Sequence, residues 1–174
     1  MEAESESQSD PESKLWLNTY EELQSIDQFI FSTTLELVRE AVACHKNRLY
    51  VASLVMCRAA LESMLHTLKT WKKEGDRYCL RPVVRTSLPN LVRWATGNSV
   101  MTPREAKIAN RIKGMGDLSA HIAQRIGFEL RRVASCKPYR VWVSEGESWK
   151  NLKSTVKLLR ALANRWHVKS AKQS

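Results

Sequence analysis

Four cysteines are scattered along the 174 residues, at positions 44, 57, 79 and 136, and no two form a C-x-x-C pair. That argues against a disulfide framework. It also argues against a zinc site, which draws on closely spaced Cys and His. Cys44 and His45 are adjacent, but neighbours on a helix diverge by about 100°. Long apolar runs are missing too. The longest uncharged one is about Leu49 to Cys57, far short of the ~20 residues that span a bilayer. Neither a basic start nor an apolar stretch opens the chain, so a secretory leader is not expected and a cytoplasmic location is. The strong catalytic signatures are absent: no P-loop, no G-x-S-x-G, no H-E-x-x-H, no G-x-G-x-x-G. No cofactor or metal is implied.

Acids are scarce in the second half of the chain. Residues 77–174 hold twenty bases and five acids, residues 14–76 hold eight of each, and residues 1–13 hold five acids and no base. The net charge of +10 therefore sits on one half. Such a bias is the footprint of a polyanion partner, nucleic acid first. An acidic protein, an anionic membrane surface or solubility alone are the competing readings.

What is present is helical periodicity. Residues 1–13 are polar and acidic and read as a disordered tail, followed by one domain over 14–168 and a short basic tail at 169–174. Asn18 with Glu21, and Ser25 with Gln28, have the spacing of helix-opening caps. Ile26, Ile30, Thr33, Leu37, Ala41 and Cys44 then repeat at helical intervals, predicting a helix to about His45, where a cation suits the helix dipole. A turn at Asn47 leads to a second helix over about 48–73, and the two should pack as an antiparallel hairpin. The pattern dissolves from Lys72 to Ser87. Leu88 to Ala95 predicts a short helix. Thr102, Pro103 and Glu105 open another, as N-cap, N1 and N3. Gly114 and Gly116 lie inside it and allow either a close approach or a break, and Gly127 is a candidate end. Tyr139 to Val143 alternates like a short extended segment. Ser144 with Glu147 caps a last helix to about His167. The whole reads as an all-α, four-to-five-helix up-and-down bundle.

Three candidate sites emerge. On the fourth of these helices Lys113, Asp117 and His121 fall at i, i+4 and i+8, on one face. The stripe Ile108, Ile112, Met115, Ile122 and Ile126 lies nearly opposite, so the trio is expected to point away from the protomer's own core. Two readings stand: an acid/base site in which Asp117 orients His121 and Lys113 meets a phosphate, or a polar ladder at a helix or dimer contact, which spacing alone favours. On the second helix Arg58 interrupts an apolar face, and Glu62 one turn on is its expected structural partner, with a phosphate contact as the alternative. On the last helix Lys150, Lys153, Lys157 and Arg160 form a basic stripe. Such a stripe is more often a solvated flank whose lysine stems cover the core edge; in the alternative reading these residues, with Arg111 and Arg125, are the candidate nucleic-acid contacts.

Two stretches, LYVASLVMCRAALESML (49–65) and IANRIKGMGDLSAHIA (108–123), resemble the helical domain of unknown function found alone or attached to restriction-type proteins, within the HEPN superfamily. The resemblance implies an up-and-down bundle, a homodimer, and RNA as the favoured nucleic acid in defence or RNA metabolism. Active members are metal-independent endoribonucleases with an arginine followed, four to six residues later, by a histidine. The histidine maps to His121 and the polar residue between them to Asp117. Gly116 stands where that arginine would be, with Lys113 and Arg111 the nearest bases upstream. A non-catalytic dimerisation or protein-interaction module is the alternative.

Overall fold

The computed structural model describes residues 11–74, 77–80, 86–129 and 143–171. Five helical stretches, α1 (Pro11–Lys46), α2 (Tyr50–Thr70), α3 (Leu88–Gly97), α4 (Pro103–Glu129) and α5 (Glu145–Ala171), build a helical bundle. Two four-residue strands, β1 (Trp71–Glu74) and β2 (Arg77–Leu80), form an antiparallel hairpin between α2 and α3, with Trp71 opposite Leu80.

α2 is the central helix and packs against α1, α3, α4 and α5. Its Leu54, Ala60, Leu61, Met64 and Leu65 are fully buried. α2 is also long and apolar enough to cross a membrane, with a mean hydropathy of 1.2. Here that apolar surface supplies the core of the bundle, joined by Phe31, Leu88, Leu91, Ile112, Leu152, Leu159 and Leu162.

α1 is not one straight rod. Lys46 Nζ donates to Ser13 Oγ at 2.6 Å, whereas a straight helix would hold these residues about 50 Å apart. The stretch therefore doubles back. Its first limb packs Leu15, Trp16 and Tyr20 against the core, and its second buries Phe31, Leu35, Val38 and Ala41. The predicted Ser25–Gln28 helix start lies inside this helical stretch, and its side chains lie outside the described residues. Helical structure starts earlier than expected, at Pro11, so residues 11–13 belong to the bundle and not to a disordered tail. Asn18 opens no helix: Thr19 Oγ1 donates to Leu15 O at 2.6 Å, within a helix already under way.

The predicted turn at Asn47 is present, closed by Arg48 at φ 59. α2 stops at Thr70, not near 73, because the chain turns into the hairpin that the charges of 72–77 concealed. The Thr102 and Ser144 boxes form as the spacing predicts. Glu105 N–H donates to Thr102 Oγ1 at 3.3 Å while Glu105 Oε2 accepts from the Thr102 N–H at 2.7 Å. Ser144 and Glu147 repeat the arrangement. α4 runs unbroken through Gly114, Gly116 and Gly127. α5 extends to Ala171, past the predicted start of a tail. The expected extended segment at 139–143 lies almost wholly outside the described residues.

His45 is the anchor between helix ends. It is 4% exposed, accepts or donates a 2.9 Å hydrogen bond between Nδ1 and Ser148 Oγ, and stacks on Trp149 with centroids 5.4 Å apart. At the helix end the spacing predicts, it joins the end of α1 to the start of α5.

Candidate nucleic-acid interface and the α2–α4 cluster

The α4 sequence meets α2 through its small residues. Among its described side chains, Ala109, Ile112, Gly116 and Ser119 are buried. That ridge lies about 60° round the helix from the centre of the isoleucine stripe. Small side chains let the helix axes come close. A Cβ on Gly116 would lie 2.5 Å from Arg58 Cβ and 2.8 Å from its Cδ, so glycine is required by this contact. A Cβ on Gly114, two residues earlier, would meet open space.

The rotation moves Lys113 and Asp117 from the expected outward face to the edge of the α2 interface. Lys113 Nζ donates to Asp117 Oδ2 at 2.6 Å, and Arg58 Nε donates to Asp117 Oδ1 at 2.5 Å. Arg58 also reaches Glu62, its expected partner, at 3.2 Å. The Arg58, Lys113 and Asp117 side chains are 28–31% exposed. Partial burial pushes the Asp117 carboxyl up, but the Lys113 and Arg58 hydrogen bonds and charges outweigh it and hold the group below its ordinary range. Two cations meet two carboxylates, so the cluster is neutral. His121 lies on α4 one turn beyond Asp117, and its side chain lies outside the described residues, as does that of Arg125. The spacing sets Glu62 one turn from Arg58 and puts Lys113, Asp117 and His121 on one face. It does not reveal that Arg58 and Lys113 meet at Asp117, because Arg58 and Asp117 are 59 residues apart.

α5 has a different surface. Lys150, Lys153 and Lys157 are exposed, and Arg160 is partly so, along one face. No acid occurs after Glu147. Among the described residues no carboxylate pairs with Lys150, Lys153 or Lys157. Trp149, partly exposed, borders this face, with Lys153 Nζ 5.2 Å from its ring centroid. Arg111, the other candidate contact described, is exposed on α4.

One base of α5, Arg165, is tied down on the inward side. Arg165 donates to Glu105 through Nη1 and Nη2, both at 2.8 Å, and to Val100 O at 2.6 Å. The Arg165 fork, aided by Thr102, holds the Glu105 carboxyl down at about 2. Behind the face, burial pushes the Cys57 thiol up to about 12, despite the Thr155 and Asn151 side chains beside it. A thiol so protonated is no nucleophile at neutral pH.

Among the described residues no group of three or more His, Cys, Asp or Glu could hold a metal ion. Comparison with known proteins gives no match: no family model fits the chain, no curated relative matches it, and no solved structure matches it.

Proposed function

We propose that this chain is an HEPN-like helical domain that binds nucleic acid, RNA favoured, in the cytoplasm, and that the outer face of α5 is its binding surface. One observation carries the reading: Lys150, Lys153 and Lys157 are exposed on one helix face with no carboxylate among the described residues to neutralise them. Phosphates are the anions such a row suits, and each contact releases condensed counterions. The test is a salt titration of binding to a labelled single-stranded RNA. Affinity that falls steeply with salt supports the proposal, and weak or salt-independent binding refutes it.

The cluster around Asp117 supports binding in preference to cleavage. Both of its bases are already held by carboxylates, and Lys113 lacks the bidentate fork that an arginine offers a phosphate. Cleavage predicts EDTA-resistant activity that His121→Ala abolishes. Equal activity in the two proteins would remove His121 from any such role.

A second reading, homodimerisation, is favoured by Leu118, which is 53% exposed one turn beyond the open Gly114 on the outer face of α4. Leu118→Asp should then shift the sedimenting mass from dimer to monomer. A wild-type monomer would exclude this interface.

A further inference from the structure

Trp149 is an unusual neighbour for a row of lysines. Its indole lies at the edge of the basic face, one turn before Lys153 and close in angle to Arg160. The ring is fixed from inside the bundle, where buried His45 stacks on it at an interplanar angle of 25° and Tyr50 packs against His45 with centroids 5.5 Å apart. His45 is in turn fixed by Ser148, the residue before Trp149. A partly exposed indole is thus held rigid without being buried, and the ammonium of Lys153 lies over it. That contact is a weak cation–π interaction at an exposed site, readily exchanged for a stronger one.

Resting on the nucleic-acid reading above, we propose that the α5 face takes an unpaired strand, with Trp149 as the platform for one base and Lys150, Lys153 and Lys157 along its phosphates. Single-strand binding combines an aromatic surface for the base with cations that follow the backbone. A paired base has no free face to offer an indole. The deep, narrow groove of an RNA duplex also excludes a helix. When a base seats on Trp149, the Lys153 ammonium leaves the ring and turns to the adjoining phosphate. The same lysine therefore shields the indole in the free protein and binds the backbone in the complex.

The experiment measures binding of the full chain to three labelled probes of equal phosphate number: an oligouridylate, an RNA duplex, and a strand of the same length without bases. The oligouridylate should bind roughly tenfold more tightly than the abasic strand, as expected for one stacked base, and more tightly than the duplex. Trp149→Leu should erase the advantage over the abasic strand, and Trp149→Phe should keep part of it. The abasic comparison uses the wild-type protein, so the outcome does not depend on either variant folding. Equal affinity for the oligouridylate and the abasic strand would overturn the stacking proposal while leaving phosphate binding intact. Salt-sensitive binding to none of the probes would overturn the nucleic-acid reading itself.

Discussion

The α2–α4 cluster and the α5 face both present bases at helical spacing, yet they are electrostatic opposites. Arg58 and Lys113 share the two oxygens of Asp117 and are balanced by Glu62. Lys150, Lys153 and Lys157 have no acid later in their helix and no carboxylate partner among the described residues. Whether a base is available to a partner depends less on its own spacing than on where the acids fall after folding. The first region holds helices together, and the second is left to meet solvent or a polyanion. Arg165 shows the same rule within α5: on the inward side, a base finds Glu105 and becomes structural.

The largest expected effect breaks the first region. Gly116→Val inserts atoms where a Cβ already meets Arg58 at 2.5 Å. It should cost about 3 kcal/mol through overpacking, read as a lower midpoint in urea. Next comes the Arg165–Glu105 tie. Glu105 has a carboxyl held down at about 2, so its stabilising contribution is present above pH ~4.5 and disappears as the pH falls towards 2. Wild type should lose roughly 2 kcal/mol over that interval from this group, and Glu105→Gln should flatten the loss. Asp117→Ala should cost about 1–2 kcal/mol, because two partly buried cations lose a shared acceptor. Smallest, and opposite in sign, is Gly114→Ala. With open space around the new methyl, it should stabilise α4 by about 0.5–1 kcal/mol, raising the thermal midpoint. Opposite outcomes for two glycines two residues apart would sharpen the contrast between the tied and open faces of α4.

Much of the bundle was legible in the sequence. Thr102 with Glu105, and Ser144 with Glu147, are local hydrogen-bond patterns, so two residues three apart suffice to predict each helix start. The turn at Asn47 and the α1–α2 pairing followed from short connection and periodicity. The hairpin of β1 and β2 is hidden because its strands are four residues long, below the length at which alternation speaks, and three of the four residues of β1 are charged. The direction of Asp117 was misread for a different reason. Weighing only large apolar residues puts the core side of α4 at the isoleucines, whereas the buried positions include Ala109, Gly116 and Ser119, with Gly116 in close approach to Arg58 of α2. Hydrophobicity patterns give little weight to small residues, though these decide how near two helices come. His45 and Trp149 acquire their meaning only from each other, across more than a hundred residues of chain.

Lys150, Lys153 and Lys157 of α5 are available to a partner, while the bases around Asp117 are spent. The most direct test compares the salt dependence of single-stranded RNA binding in wild type, in Lys150→Ala/Lys153→Ala/Lys157→Ala, and in Lys113→Ala. The triple variant should keep wild-type stability to within ~0.5 kcal/mol, since its side chains are exposed. Its log–log salt slope should fall by about 2, near 0.7 per lost phosphate contact, while Lys113→Ala leaves the slope unchanged. A wild-type slope in the triple variant, or a slope reduced by Lys113→Ala alone, would contradict the account.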